Sequence, residues 1–181
     1  MPAGRSLRRA RWAMLAATFF NHLHRHRVLI TSFFQPPLAR AGVRAGARYV
    51  PTTVREGVLR RMGRTRRDGP VLVYQTSNTN RGLVGTLSAA HAETGMDFVV
   101  SGPGDAAGDV APGVTCRPFS EETFLDDMAA APFVVVNGGH STINEALALG
   151  KPVLAEPIHA QYEQHINMIG LEAMGVGMGT H

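Results

Sequence analysis

The chain has 181 residues, enough for one hydrophobic core or for one core and a fragment of another. Its apolar content of 44% and its charged content of 18% are typical of a globular α/β protein. The single cysteine, Cys116, excludes an internal disulfide and favours a reducing compartment; no run approaches about 18 apolar residues, so no membrane-spanning helix is predicted.

Positive and negative charges are concentrated in opposite parts of the chain. Residues 1–70 hold 15 basic and two acidic residues, a net charge of +13, whereas residues 71–181 hold three basic and twelve acidic residues, a net charge of −9. Such an asymmetry predicts two parts of different character. We place the boundary between them at residues 68 and 69, where the arginine-rich stretch ends.

The N-terminal residues 1–27 are rich in arginine and carry apolar side chains near helical spacing. Two interpretations stay open: a helix that packs on a sheet with a solvated basic face, or an interfacial helix that contacts anionic lipid through four arginines. These four are Arg5, Arg8, Arg9 and Arg11. No small-residue cleavage site follows the apolar residues 12–20, so secretion is not predicted. The alternating histidines of residues 22–26 have no further ligand beside them, so no metal site is predicted.

Residues 28–68 are predicted to contain one strand and a long connection. The strand covers residues 28–34 and ends at a pair of prolines. Residues 38–68 are rich in glycine and arginine and are predicted to connect two domains. They hold few aromatic residues and match no nucleic-acid-binding motif, so nucleic acid is not an expected partner.

Strands and helices alternate regularly from residue 69 onward. We predict strands over residues 71–75, 97–101 and 114–116, a polar turn over 76–80, a helix over 81–94, a loop over 102–113 and a helix capped by Ser120. Alternation at this pace predicts one Rossmann-like parallel sheet with right-handed crossovers and helices on both faces.

The stretch over residues 133–167 combines two further strands and two helices. Residues 133–136 are apolar and mostly β-branched, which predicts a strand buried on both faces, and residues 153–155 predict the next strand. Thr142 and Glu145 have the spacing of a capping box at the start of the first helix. The second helix carries polar residues at spacings of three and four, on adjoining parts of one face. They are Glu163, Gln164 and Asn167.

The chemistry predicted for this stretch is anion binding. Gly138 and Gly139 lie between a buried strand and a helix N-terminus, where backbone N–H groups and the helix dipole favour an oxyanion. Ser141 and Thr142 add hydroxyl donors at the same point. Glu145 lies one turn inside the helix. Its carboxylate could accept hydrogen bonds from ribose hydroxyls or, alternatively, serve only as the capping partner of Thr142.

These residues resemble the donor-binding signature of GT-B glycosyltransferases, in particular the family-28-type enzymes and the macrolide and plant UDP-glycosyltransferases. The pattern is Asn-Gly-Gly-His-Ser-Thr-x-x-Glu-Ala-Leu-x-x-Gly-Lys-Pro from residue 137, followed by Pro157 and by Glu-Gln-x-x-Asn from residue 163. The resemblance covers about residues 69–178 and implies that residues 69–181 are the Rossmann-like donor-binding domain of a GT-B fold. Residues 1–68 would then be a remnant of the N-terminal domain with a basic interdomain linker.

The resemblance also implies a set of donor-binding residues. The glycine turn and helix start would hold the diphosphate, Glu145 the ribose, the glutamate–glutamine pair the sugar, and the backbone of Phe119 the nucleobase, with Ser77 near the phosphates. The full set is Ser77, Phe119, Asn137, Gly138, Gly139, His140, Ser141, Thr142, Glu145, Gln161, Glu163 and Gln164. Plant-type enzymes have a histidine in place of Asn137, so here an amide replaces a charged diphosphate contact. No catalytic residue is assigned.

Two hypotheses of function follow from the resemblance. In the first, the chain belongs to an inverting transferase that moves a hexosyl group from a nucleoside-diphosphate sugar, UDP-sugar foremost, to an acceptor. In the second, it is an inactive nucleotide-sugar-binding fragment, or a subunit of a split enzyme completed by an N-terminal-domain partner chain; a nucleotide-sugar epimerase is a distant third. Against the first hypothesis, the resemblance places the family's catalytic base early in the N-terminal domain, a part that this chain is expected to lack. No cofactor is predicted, and the expected location is the cytoplasm, with peripheral contact to the inner membrane face in the lipid-binding interpretation.

Overall fold

The computed structural model describes residues 28–40, 43, 46–75, 82–102 and 107–180. The chain divides into two compact units, Met1–Thr52 and Thr53–His181. The arginine-rich residues 53–68 therefore belong to the second unit, although composition placed a boundary after them. The assignment of residues 1–68 as a domain remnant with a linker stays a prediction, and the helix predicted in residues 1–27 lies outside the described residues.

The described part of the first unit contains a pair of parallel strands, β1 (Leu29–Thr31) and β2 (Arg48–Val50). Ile30 pairs with Tyr49 in this register, and Tyr49 Oη donates a hydrogen bond to the backbone carbonyl of Pro36 at 2.8 Å. The strand predicted within residues 28–34 is confirmed. β2 was not predicted, because it lies in the stretch interpreted as a connection.

The second unit alternates helices and strands along the chain. Its elements are α1 (Glu56–Leu59), β3 (Val71–Tyr74), α2 (Leu83–Thr94), β4 (Phe98–Gly102), β5 (Gly108–Ala111), β6 (Val114–Pro118), α3 (Glu121–Ala130), β7 (Val134–Val136), α4 (His140–Ala148), β8 (Val153–Ala155), α5 (Tyr162–Met174) and β9 (Gly177–Gly179). None of the described helices is both long and apolar enough to cross a lipid bilayer.

The strands of the second unit form one seven-stranded sheet in the order β5-β6-β4-β3-β7-β8-β9. Neighbouring strands are parallel at every pairing except the one between β5 and β6. β3 lies at the centre, where Val73 is paired with Val100 of β4 and with Val135 of β7. The predicted Rossmann-like α/β architecture is therefore confirmed, with one antiparallel strand at an edge.

Both faces of the central strands are covered. Val71 and Val73 of β3 pack with Leu87 of α2 in one buried cluster. Leu72, which lies between them, points to the opposite face because side chains alternate along a strand, and it is fully buried as well. The three residues of β7 are also buried. Apolar, β-branched runs form strands here because both faces of each strand lie away from water.

The two edge strands were not predicted. The loop predicted over residues 102–113 is wrong in part, because β5 lies within it and pairs with β6 as an antiparallel hairpin. Gly113 in the hairpin turn has a φ of +71°, and a Cβ there would lie 2.1 Å from the ring of His91. β9 closes the opposite edge beside β8. Both edge strands contain glycine and few β-branched residues, so their sequences carry a weak strand signal.

Helix α4 begins earlier than predicted, at His140. Gly139 is the N-cap residue, and as a glycine it has no side chain that could cap the helix. The capping box predicted from Thr142 and Glu145 is therefore wrong, because Thr142 already lies in the first helical turn. For α3 the N-cap residue is Ser120, as predicted, although its hydroxyl makes no capping hydrogen bond.

Candidate functional site

Three neighbouring parallel strands, β3, β7 and β8, end at the same edge of the sheet with polar residues. Gln75 follows β3, Asn137 follows β7 and Glu156 follows β8. Gln75 Nε2 donates to Glu156 Oε2 at 2.8 Å, and Asn137 Nδ2 donates to the backbone carbonyl of Glu156 at 3.2 Å. These bonds join the three strand ends at the edge where parallel α/β sheets bind ligands.

The Gly138–Gly139 turn joins β7 to α4 and is held against α5. Gly138 has a φ of +88°, and a Cβ at this position would lie 3.2 Å from Gln164. The carbonyl of Gly138 accepts a hydrogen bond from Asn167 Nδ2 at 2.9 Å. A Cβ at Gly139 would meet nothing within 4 Å among the described residues. The turn is therefore closed on the side of α5 and open at Gly139, where a ligand could approach the backbone.

The first turn of α4 directs its backbone N–H groups toward this opening. His140 and Thr142 are half-buried, and Ser141 is exposed. The first N–H groups of a helix have no intrahelical carbonyl partner, and the helix dipole places partial positive charge there. The structure thus brings the predicted diphosphate-binding residues together at one edge of the sheet. Their contact with a diphosphate stays a prediction.

Glu145 lies in the second turn of α4 and is only 5% exposed. Its carboxylate accepts two hydrogen bonds from Arg55: Oε1 from Nε at 2.6 Å and Oε2 from Nη2 at 2.7 Å. The Glu145 hydrogen bond raises the pKa of Arg55, against the opposing effect of burial. The bidentate pair fixes the carboxylate in one orientation, and Arg55 rather than Thr142 is its partner.

One aromatic ring and a second carboxylate also lie near the Arg55 guanidinium. Its guanidinium carbon lies 6.0 Å from the centroid of the Phe124 ring, and Nη1 lies 3.3 Å from a carboxylate oxygen of Glu121. Phe119 and Tyr74 join Phe124 in a cluster with ring centroids 4.9–5.9 Å apart. Phe119 is 49% exposed and follows β6 at the same sheet edge. Its predicted place at a nucleobase stays a prediction.

The predicted sugar ligands lie at the start of α5. Gln161 is the N-cap residue, and both Gln161 and Glu163 are exposed. Gln164 is half-buried, and its Oε1 accepts a hydrogen bond from the backbone N–H of Ile158 at 2.8 Å. Gln164 therefore holds the loop between β8 and α5 in place, independently of any ligand. The contacts of these residues with a sugar stay predictions.

Three residues of this edge were missed by sequence reasoning: Arg55, Gln75 and Glu156. Gln75 and Glu156 each follow a buried strand directly, which is the position where side chains reach the ligand edge, so a usable signal was present. Arg55 carried no such signal, because it stands among many arginines and 90 residues from its partner. Ser77, by contrast, was predicted to lie near the phosphates but falls outside the described residues.

A cavity of about 1000 Å³ lies at the opposite edge of the sheet. Its lining includes Gly69, Asp97 and Gly113, which precede β3, β4 and β6. This cavity therefore opens mainly at the amino ends of the strands, whereas ligands of parallel α/β sheets bind at the carboxyl ends. We assign the candidate site to the edge that holds Gly138 and Glu145.

The candidate site has the properties expected of a binding site for an anion that also carries hydroxyl groups. The glycine turn and the start of α4 offer backbone N–H groups and the hydroxyls of Ser141 and Thr142 to an oxyanion. Glu145 offers a buried, oriented carboxylate that can accept hydrogen bonds from hydroxyl groups. Within the part of the chain that the structure describes, no group of three or more histidine, cysteine or acidic side chains is placed to hold a metal ion.

Nearly the whole chain matches one protein family. The sequence model of a family described as glycosyl transferase family 1 covers residues 14–181. An uncharacterized glycosyltransferase of Methanosarcina acetivorans is 34% identical over 95 residues, which are 50% of this chain and 25% of that protein.

Two solved glycosyltransferases have a similar fold. The calicheamicin glycosyltransferase CalG4 aligns with a TM-score of 0.54 at 21% sequence identity. The alignment covers 75% of this chain and 34% of the CalG4 chain. SnogD from Streptomyces nogalater aligns with a TM-score of 0.50 at 19% identity, covering 65% and 32%. The likeness concerns the fold, which is that of the GT-B glycosyltransferases. The chain spans about a quarter to a third of the length of these relatives.

Proposed function

The chain belongs to glycosyl transferase family 1, and on that premise we propose that it binds a nucleoside-diphosphate sugar at the carboxyl edge of its seven-stranded sheet. The proposal is carried by one observation: the buried Glu145 carboxylate, held by Arg55, lies in the helix that begins at the Gly138–Gly139 turn. An oxyanion site beside an oriented hydroxyl acceptor suits a phosphorylated nucleoside. UDP is the nucleotide we expect.

Each part of the donor would meet a different part of this edge. The diphosphate lies at the glycine turn and the start of α4, where the helix dipole offsets its charge. The ribose hydroxyls donate to Glu145, the nucleobase contacts the backbone near Phe119, and the sugar hydroxyls face the start of α5. The sugar ligands proposed there are Gln161, Glu163 and Gln164.

The reaction class we propose is inverting hexosyl transfer. The acceptor hydroxyl oxygen forms a bond to the anomeric carbon while the bond from that carbon to the diphosphate oxygen breaks, and the diphosphate leaves with the electron pair. Negative charge then develops at the first turn of α4, where backbone N–H groups and the helix dipole stabilise it. The hydroxyl proton passes to a general base on the acceptor side.

A second candidate function is nucleotide-sugar binding without turnover, as one part of a two-chain enzyme. The observation that favours it is coverage, because this chain aligns with only 34% of CalG4. The partner would be a chain that carries an N-terminal GT-B domain. For both candidates we propose a cytoplasmic location. Peripheral contact to anionic lipid through the arginines of residues 5–11 is the alternative to a solvated basic face there.

Nucleotide binding is the step that both candidates share, and calorimetric titration of residues 1–181 tests it. The ligands are UDP, dTDP and GDP and their sugars, at concentrations high enough to saturate a weak site. We expect binding of one nucleotide class, accompanied by a rise in Tm, because a ligand that binds only the folded state stabilises it. If none of these ligands binds, the proposed function is wrong.

Glu145→Gln tests the assignment of the ribose site. The substitution removes the carboxylate charge but keeps the size of the side chain, so UDP affinity should fall by ~1.5–3 kcal/mol, the range for a hydrogen bond to a charged group. The control ligand is 2′,3′-dideoxyuridine diphosphate, which lacks the hydroxyls and should bind the variant and the wild type alike. An equal loss for both ligands would place Glu145 outside the ribose site.

A further inference from the structure

The peptide unit between Gly138 and Gly139 has a fixed direction in the structure. Its carbonyl oxygen, which belongs to Gly138, accepts a hydrogen bond from Asn167 Nδ2 at 2.9 Å. Asn167 lies in α5 and is only 7% exposed. A carbonyl oxygen can only accept, so the NH₂ end of the Asn167 amide must face it. The carbonyl of this peptide unit is therefore directed toward α5.

The N–H of the same peptide unit points the other way. In a trans peptide unit the C=O and N–H bonds point in opposite directions, and the described residues contain no cis peptide bond. The Gly139 N–H is therefore directed away from α5. No acceptor among the described residues receives a hydrogen bond from it. It adds one donor to the N–H groups of the first turn of α4, which follows directly.

Glycine on both sides makes the reverse orientation of this peptide unit accessible. Reversal changes only ψ of Gly138 and φ of Gly139, and glycine tolerates a wide range of both angles. In the reversed orientation the carbonyl of Gly138 would point away from α5, beside the helix start that favours an oxyanion. A carbonyl oxygen in that place would repel a diphosphate. The hydrogen bond from Asn167 favours the orientation that presents the N–H instead.

We propose that Asn167 is a positioning residue of the diphosphate site, because its bond to the Gly138 carbonyl keeps the Gly139 N–H directed at a diphosphate oxygen. The proposal rests on the proposed function, since it needs a nucleoside diphosphate at the turn between β7 and α4. It gives the buried amide a task in ligand binding besides satisfying one backbone carbonyl. An amide with only that second task would affect stability and leave the affinity for diphosphate unchanged.

Two substitutions of Asn167 test the proposal by calorimetric titration with UDP and with uridine, which has no diphosphate. Asn167→Asp keeps the size of the side chain but replaces the donor by an acceptor, which favours the reversed peptide. We expect its UDP affinity to fall about 10- to 100-fold, the loss of one hydrogen bond to a charged group. Asn167→Ala favours neither orientation, so UDP affinity should fall only about 2- to 5-fold, in proportion to the competent fraction. The affinity for uridine should not change in either variant.

Met168→Ala is the matched control for stability. Met168 is the next residue of α5, is 4% exposed and packs against Gly179 of β9. Its truncation leaves a cavity and should lower Tm, while the bond between Asn167 and Gly138 stays in place. The ratio of UDP to uridine affinity should therefore equal that of the wild type. If Met168→Ala lowers this ratio as much as Asn167→Asp does, the effect of Asn167 comes from stability and the positioning role is wrong.

The amide proton of Gly139 provides a second measurement that a purely structural role would not affect. In protein made with isotope-labelled glycine, its NMR signal is identified by its absence from Gly139→Ala. Addition of UDP should shift this signal in the wild type, because the N–H then donates to an oxyanion. The shift should be much smaller in Asn167→Asp at saturating UDP. A wild type that binds UDP without a shift of the Gly139 signal would contradict the proposal.

The outcomes distinguish this inference from the proposed function. If the wild type binds no nucleoside diphosphate, the proposed function fails and this inference fails with it. If the wild type binds UDP but Asn167→Asp keeps wild-type UDP affinity, the positioning role is wrong while the proposed function stands. The same conclusion follows if Asn167→Asp weakens the binding of uridine and UDP equally.

Discussion

Arg55 determines how the carboxylate of Glu145 is presented to a ligand. The Glu145 side chain is 6% exposed and the Arg55 side chain 36% exposed, so the pair lies at the boundary between the protein interior and solvent. The ring of Phe124 and the carboxylate of Glu121 limit the movement of the guanidinium on its other side. A carboxylate held by two hydrogen bonds has little rotational freedom. A ribose hydroxyl would therefore meet an acceptor that is already oriented.

Removal of Arg55 should cost more stability than removal of a surface arginine. Arg55→Met leaves Glu145 buried without its cation, which should lower the free energy of unfolding by ~1–3 kcal/mol, less than for a fully buried pair because the guanidinium is partly solvated. Adding Glu145→Leu should recover most of this loss. Urea denaturation measures both variants. Arg60→Met is the control, because Arg60 pairs with the exposed Glu56 and should cost at most ~1 kcal/mol. Equal costs for Arg55→Met and Arg60→Met would contradict the role given to Arg55.

At the residue scale, the sequence reveals a site residue when its local context marks it. Gly138 and Glu145 stand at fixed distances from a buried strand, and the structure places both at the carboxyl edge of the sheet. Arg55 was missed because nothing near it in the sequence differs from the surrounding arginines. Its importance comes from a partner 90 residues away, and such a pairing is created only by the tertiary fold.

The turn between β7 and α4 is the element that joins the sheet to the candidate site. Gly138 is in a left-handed conformation and packs against α5, where Asn167 bonds its carbonyl. Gly139 has an ordinary φ of −64° and open space beside it. The two adjacent glycines therefore have different roles. Gly138 permits the left-handed backbone conformation of the turn, and Gly139 leaves space beside the backbone.

Alanine substitutions should distinguish the roles of Gly138 and Gly139. Gly138→Ala forces a side chain into the left-handed region and against Gln164, so it should destabilise the protein by at least ~1–2 kcal/mol. Gly139→Ala is the matched control for stability and should leave Tm nearly unchanged. Its methyl group would occupy the space where the diphosphate is proposed to approach, so UDP affinity should fall. Thermal unfolding and calorimetry measure the two effects. Unchanged UDP affinity in Gly139→Ala would mean that the diphosphate lies elsewhere.

Among the strands, those buried on both faces were predicted from the sequence more accurately than those at the edges of the sheet. β3 and β8 were predicted closely, because strands that are buried on both faces must be apolar and are therefore visible in the sequence. The edge strands β5 and β9 escaped prediction, since their pairing with β6 and β8 and not their own composition makes them strands. The start of α4 was misplaced because Thr142 and Glu145 have capping-box spacing. The glycine turn begins the helix earlier, and Arg55 occupies the carboxylate that the cap would need.

On the scale of the whole molecule, the uneven charge distribution has a structural explanation within the second unit. Arg61, which is 13% exposed, bonds Glu122 at 2.6 Å and Asp126 at 2.7 Å, both on α3. Arg60 also lies 3.6 Å from Glu122. The arginine-rich residues before β3 thus partly neutralise the acidic helix that follows β6. In this region, the opposite charges belong to two segments that are far apart in sequence but pack together in the fold.

We expect residues 1–181 to bind a nucleotide without transferring a sugar. The candidate donor ligands within the described residues all lie in the second unit, at one sheet edge. Transfer also needs a base within ~2.6–3.2 Å of the acceptor hydroxyl, directly or through one water. His140 and His159 are poorly placed for that task, because His140 begins the helix at the proposed diphosphate site and His159 lies in the loop before α5.

We therefore predict that residues 1–181 bind UDP but release none from a UDP-sugar at a rate above spontaneous hydrolysis. Orientation of two substrates in a closed site can supply ~7–11 kcal/mol of the barrier to a reaction. We expect that a closed site of this kind needs a second domain beside the sheet described here. Addition of a chain that carries an N-terminal GT-B domain should restore turnover. An assay of UDP release, run beside calorimetry on the same preparation, measures both steps. Steady turnover by residues 1–181 alone, abolished by His140→Ala or His159→Ala, would show that this chain already holds the base that the acceptor needs.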